Sequence, residues 1–175
     1  MKKIYLLAIP VLLATACSQP EKVAAPAISA SPEYPYKIEK PDQWQTDTSH
    51  ANTLTALKFL KALETNDNTT AKACVADTMV FNYDGGTFKG AFGDWMAQMA
   101  EGMGDMKDIK MSIKDWQAVT DKDRNEQFVT VWYTQCWKDS KGKADSLSYT
   151  DHMQFKGGRI AQIDEFSRHF TMPSH

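Results

Sequence analysis

The sequence lacks most of what marks metal, redox and phosphate chemistry. Its three cysteines (Cys17, Cys74 and Cys136) form no Cys-x-x-Cys pair, and its four histidines are scattered, so no zinc-ligand spacing arises. There is no His-Glu-x-x-His and no Gly-x-Ser-x-Gly nucleophile elbow. Neither Gly102 with Gly104 nor Gly157-Gly158 makes a phosphate loop. Nine glycines and seven prolines are too few for a collagen-like or low-complexity chain. The formal charge is −2 with no basic stripe, which argues against a nucleic-acid partner. No apolar run approaches the roughly 20 residues of a membrane-spanning helix. The expectation is a protein without metal, cofactor or nucleic acid.

What is present suits one domain with an appendage. The 175 residues are 42% hydrophobic, with 11% aromatics including five tryptophans, enough bulk for a real core. Met1-Lys2-Lys3 is a positive start, and Ile4–Leu13 is a short apolar run. That run reads as a signal peptide, residues 1–16. Ala14-Thr15-Ala16-Cys17 resembles the lipobox of bacterial lipoproteins, with Ala14 where that family usually has Leu. The resemblance implies cleavage before Cys17, its lipidation, and a lipid-bilayer anchor at the periplasmic face of an outer membrane or at the cell surface. The alternative is an ordinary secretory peptide cleaved after Ala16. Residues 17–46 then read as the lipidated Cys and a tether holding Pro20, Pro26, Pro32, Pro35 and Pro41. Tyr34, Tyr36 and Trp44 are its exceptions, aromatic enough to pack on a domain surface.

The folded domain is expected over residues 47–172. Asp47-Thr48-Ser49 offers N-cap oxygens to a helix whose apolar face carries Leu54, Leu57, Phe59, Leu60 and Leu63. Asn66-Asp67-Asn68 ends it and caps a short second helix. Thr78–Tyr83 reads as a strand, Asp84-Gly85-Gly86 as a turn, and Thr87–Gly90 as a return strand. Phe92, Trp95, Met96, Met99 and Met103 recur at helical spacing and define a third helix. Four strands follow: 108–119, 126–137, 145–155 and 159–170. Helices first and a long antiparallel meander last make the fold class α+β. In the strand over 126–137 both faces are apolar, Phe128 with Trp132 and Val129 with Val131 and Tyr133. One face would meet the helices; the other is expected to meet a second subunit, giving a homodimer.

This order of elements resembles the nuclear transport factor 2-like, or SnoaL-like, superfamily. Its closing pattern appears in Asp151-His152-Met153-Gln154-Phe155 followed by Gly158-Arg159-Ile160, with the Asn66-Asp67 break and Phe88-Lys89-Gly90 in supporting places. The resemblance covers roughly 47–170 and implies a cone-shaped domain with a pocket open at one end. Its members include isomerases, cyclases, dehydratases and epoxide hydrolases, and also non-catalytic binding proteins, so it does not give function. Ketosteroid isomerases of that superfamily use a carboxylate base, a Tyr donor and a protonated Asp donor. The resemblance carries the donor Asp onto Asp151 but puts Asn82 at the base position and Phe59 at the Tyr position. Asn82 cannot abstract a proton and Phe59 cannot donate one, which speaks against a steroid isomerase. Matched to the family, Ile163 and Glu165 point inward.

Strand alternation puts Tyr149, Asp151 and Met153 on one face, and Thr150, His152 and Gln154 on the other. Asp151 is then either an acid with a raised pKa or a carboxylate satisfied by a neighbouring Tyr or Trp. Glu165 is either its partner in a paired-carboxylate site or a rim carboxylate near Arg159 or Arg168. Asp84 is the nearest alternative base, though its place in a Gly turn suits solvent. Cys74 and Cys136 are either disulfide-bonded, as an exported compartment permits, or two buried thiols. The leading reading is an anchored domain that binds a small, mostly apolar ligand without catalytic machinery. Its pocket is drawn from Phe59, Asn82, Tyr83, Trp95, Met99, Trp132, Tyr149, Asp151 and Met153. One alternative is a lyase, isomerase or hydrolase with Asp151 as acid and Glu165 or Asp84 as base. The other is a protein-interaction module using the outer sheet face.

Overall fold

The computed structural model describes residues 34–103 and 106–169. The signal peptide and Cys17 lie outside the described residues, as does Phe170. The chain divides after Ile38. Of the first unit, the described residues 34–38 form neither helix nor strand, and Tyr34 and Tyr36 are exposed. Glu39 begins the second unit.

In that unit β1 (Trp44–Thr46) precedes α1 (Ala51–Glu64), α2 (Asn68–Cys74), β2 (Val75–Tyr83), β3 (Gly86–Gly90) and α3 (Phe92–Met103). Then come β4 (Lys107–Asp121), β5 (Gln127–Lys138), β6 (Ala144–Lys156) and β7 (Arg159–His169). Residues 44–46 were expected in the tether; they form an edge strand, because their backbone pairs with β4 and Trp44 meets Phe128 edge-on at 5.4 Å.

The first helix departs from its expected cap and face. His50, in a left-handed conformation, is the N-cap and gives no side-chain bond, while Asp47 accepts from the Ser49 amide instead. The buried stripe is Asn52, Thr53, Ala56, Phe59 and Leu60, so Leu54 is left exposed. Asp67 does cap α2, accepting from the Thr70 amide at 3.0 Å. Gly86 closes the β2–β3 hairpin at φ 147°, a region that only glycine adopts without strain.

The sheet has seven strands in the order β1-β4-β5-β6-β7-β2-β3. It is mixed rather than wholly antiparallel, because β2 and β7 run parallel. After β3 the chain crosses through α3 to the other side of the sheet and returns strand by strand. The last strand therefore arrives beside β2 pointing the same way. Register shifts in β2–β7, in β4–β5 and in β6–β7 bend the strands, as bulges do.

Burial alternates along β5: Val129, Val131 and Tyr133 are buried on the inner face, while Phe128, Thr130, Trp132 and Thr134 are only partly buried on the other. The core joins that inner face to α1 and α3 through Phe59, Phe81, Trp95, Met153 and Ile163. Side chains of this kind contribute about 1.5–3 kcal/mol each when fully buried. Cys74 is buried, Cys136 is exposed, and both thiols are free. No helix among the described residues is long and apolar enough to cross a membrane.

Candidate functional site

The inner face of the sheet and the two longer helices enclose a cavity of about 420 Å³. Strand alternation delivers its polar end. Tyr133 on β5 lies opposite Tyr149 on β6, and their rings stack at 5.1 Å with 12° between planes. Two residues along, Asp151 lies opposite Glu165 on β7. All four side chains line the cavity. The helices supply the apolar wall. Phe59 of α1 and Trp95 of α3 lie 6.2 Å apart, and Phe81 of β2 packs 5.2 Å from Trp95.

Asp151 is 3% exposed. Its Oδ2 accepts a hydrogen bond from the Tyr133 hydroxyl at 3.1 Å, and its Oδ1 has no partner among the described residues. Burial pushes this carboxyl well above the usual carboxylate range; the nearby Glu165 charge adds to the rise and the Tyr133 bond opposes it. Burial, and then the charge of Asp84, lift Glu165 from 4.5 to about 7. The Tyr133 phenol is raised well above its ordinary value by burial and by both carboxyls. Tyr149 is raised to about 12 by burial, then Glu165 and Asp151. Near neutral pH Glu165 is therefore divided between its two forms, and Asp151 holds its proton more tightly than an ordinary carboxyl. Two carboxyls set apart by their surroundings can hold, donate and accept a proton at one place.

Two further acids belong to the lining. They are Glu64 and Asp108, but each has its counter-ion outside the lining: Lys61 at 3.0 Å and Lys110 at 3.7 Å for Glu64, Lys138 at 2.8 Å for Asp108. None of the described lining residues is Lys, Arg or His. No cluster of ligating side chains suited to a metal occurs among the described residues.

The cavity brings together Phe59, Trp95, Met99, Tyr149, Asp151 and Glu165 of the sequence-based set. Four others fall elsewhere. Asn82 and Trp132 sit on strand positions whose side chains leave the inner face. Asn82 donates to Asp164 and accepts from Thr87, and Trp132 shares a row with Thr150 and Phe166. Tyr83 stacks on Phe81 at 5.6 Å, and its hydroxyl accepts from Gln98 outside the cavity lining. Met153 is on the inner face but wholly buried in the core, away from the cavity. Asp84 is exposed in its turn, so it reaches the site by its charge on Glu165 and not as a lining base. Glu165 makes no ion pair with Arg159, which is bonded to Asp77 at 2.8 Å. His152 is on the outer face, stacked on Phe128 at 4.8 Å and bonded to Thr130.

Several lining residues were missed, among them Leu63, Glu64, Met111, Gln135 and Ile109. Alternation from Tyr133 reaches Gln135, and alternation from Ile109 reaches Met111. The contribution of the end of α1 needed the helix's position on the sheet.

Comparison with known proteins agrees with this architecture. The model of the SnoaL-like domain matches residues 56–163, and the chain belongs to that family. Among solved structures it is similar to a nuclear transport factor 2-like protein of unknown function from Burkholderia pseudomallei. That match has a TM-score of 0.56 at 14% identity and covers 67% of this chain and 91% of that one. It is similar to TerC co-crystallised with polyporic acid, TM-score 0.56 at 11% identity, over 67% of this chain and 92% of that one. It is also similar to an LEH-like epoxide hydrolase from M. tuberculosis, TM-score 0.54 at 14% identity, over 70% and 86% of the two chains. Structures described as ketosteroid isomerase and polyketide cyclase share the fold as well. A search of curated protein sequences found no match. At such identities the likeness shows the fold alone.

Proposed function

We propose that this chain is an exported, lipid-anchored protein whose SnoaL-like domain binds one small, mostly apolar ligand. The observation that carries this reading is the cavity itself. It has about 420 Å³ of space, aromatic and methionine walls, and at its inner end a buried carboxyl with one oxygen lacking a partner. Apolar pockets with a few convergent polar groups are the usual form of small-molecule sites. The lipobox-like residues through Cys17 support the anchor, and the exposed Phe166, in one row with Trp132 on the outer sheet face, supports a homodimer. The test is native mass spectrometry of the full chain purified in detergent from its own host. A retained small-molecule mass is the expected result; an empty cavity in every preparation, with no ligand that raises the melting temperature, overturns it.

A second reading is favoured by the Asp151–Glu165 pair: an acid–base enzyme in which Glu165 accepts a proton and Asp151 donates one. The tuning of Glu165 to about 7 suits a base working near neutral pH. Turnover of the retained molecule with a bell-shaped pH profile, lost in Asp151→Asn, would establish it. Binding without turnover would leave the first reading alone.

A further inference from the structure

We propose that the ligand of this cavity is an organic cation, a protonated amine on an apolar body, with its ammonium held by Glu165 and the aromatic faces around it. This rests on the ligand-binding reading above and names the chemical class.

The argument begins with charge. Asp151, Glu165, Glu64 and Asp108 line the cavity, and no described lining residue is basic. The lysines that answer Glu64 and Asp108 stand at the surface, their side chains at least half exposed. Nothing described answers Glu165. The charge of Asp84, from the β2–β3 turn, raises Glu165, and Glu165 in turn raises Asp151 across the strand pair and the Tyr133 and Tyr149 phenols beside it. An anionic ligand would add to this repulsion. A neutral one would leave Glu165 either protonated or charged without a partner. A cation removes both costs.

The walls point the same way. Phe59, Phe81, Trp95, Tyr133 and Tyr149 surround the space, and ring faces attract ammonium groups most strongly where water is excluded. The unpartnered Asp151 Oδ1 leaves a second polar atom for the ligand to meet. The apolar remainder of the ligand would lie toward Met96, Met99 and Met111, thioether side chains that adapt to irregular shapes.

The test uses the full chain in detergent and three probes of similar size: phenethylamine, phenethyl alcohol and hydrocinnamate, titrated by calorimetry near pH 7. The amine is expected to bind at least tenfold more tightly than the alcohol, and hydrocinnamate most weakly. Amine binding should also release protons, seen as a heat that changes with the ionisation enthalpy of the buffer, because the cation favours ionised Glu165. In Glu165→Gln the amine should fall to the alcohol's affinity and the proton release should vanish. If that variant does not fold, the wild-type probe order and proton release still decide. An alcohol that binds as well as the amine overturns the cation assignment and leaves a ligand-binding cavity. Failure of all three probes overturns the assignment together with the binding reading.

Discussion

Asp151 and Glu165 are direct neighbours across the β6–β7 ladder, both on the inner face of the sheet. Directly opposed residues of an antiparallel pair keep their Cβ atoms about 4.5–5.5 Å apart. Two acids so placed, one of them buried, cannot both ionise without cost. The sheet's register thus sets the electrostatics of the cavity before any ligand enters.

The first prediction concerns stability and pH. Glu165 holds its proton more tightly folded, at about 7, than at its ordinary 4.5. A folded state that binds more protons loses stability as pH rises through that window. The loss is complete above pH 7 and amounts to up to roughly 3 kcal/mol for a shift of this size. Glu165→Gln removes it. Urea denaturation should show the variant more stable than wild type at pH 8 and equal to it at pH 4. A variant less stable at pH 8 would mean that Glu165 has a cationic partner.

The Tyr133 hydroxyl is the one described donor to Asp151. Tyr133→Phe keeps the ring and its stack on Tyr149 but leaves both Asp151 oxygens without a partner. An unsatisfied buried group costs about 1–3 kcal/mol. The expected result is a loss of that size at neutral pH. Because the hydrogen bond lowers the Asp151 pKa, the variant should also titrate Asp151 at higher pH, readable by NMR of the carboxyl carbon. An unchanged stability would show that the bond is not made in solution.

The outer face carries the dimer test. Phe166 is 62% exposed and continues the row from Trp132 through Thr150. A bulky apolar side chain so exposed, in one row with a second aromatic, suits an interface between copies. Phe166→Glu should give a monomer in sedimentation of the detergent-purified chain while leaving ligand retention intact. A dimer that persists moves the interface elsewhere.

Much of this arrangement was legible in the sequence, for physical reasons that differ residue by residue. Alternation put Asp151 and Tyr149 on one face, since it fixes the face of every second residue, and the family resemblance singled out Asp151 as the donor. Trp132 was misassigned because β5 is apolar on both faces, so alternation showed two faces without saying which was inner. Asn82 was drawn in by matching a family position without gaps, yet Phe81 beside it is the residue that enters the cavity. The parallel β2–β7 pairing was not foreseen, since no local pattern distinguishes it from one more antiparallel neighbour. The edge strand at Trp44–Thr46 was hidden by the proline-rich stretch before it. Its order comes from backbone pairing with β4 and from Asp121, a partner far along the chain.

That last contact carries the final prediction. Asp121 is buried at the end of β4, and its Oδ1 accepts from the amides of Asp123 and Arg124 and from the Gln43 side chain at 2.8–2.9 Å. One carboxylate therefore closes the β4–β5 turn and holds the segment entering β1. The Arg124 amide bond is the largest cause that brings its pKa down from 3.8 to about 2; burial opposes it, and the side chains of Gln43 and Arg124 add to the fall. A lowered folded pKa gives stability that is present above about pH 4 and is lost as pH falls through about 2. Acid-active protease should leave residues 39–46 uncut at pH 4 and cut them near pH 2. Asp121→Ala should open the same segment at neutral pH and lower the melting temperature by several degrees. The cavity is lined from other elements and should keep its ligand. Protection of that segment in the variant would show that the ladder with β4 and the contacts of Lys40, Lys122 and Trp44 hold it without Asp121.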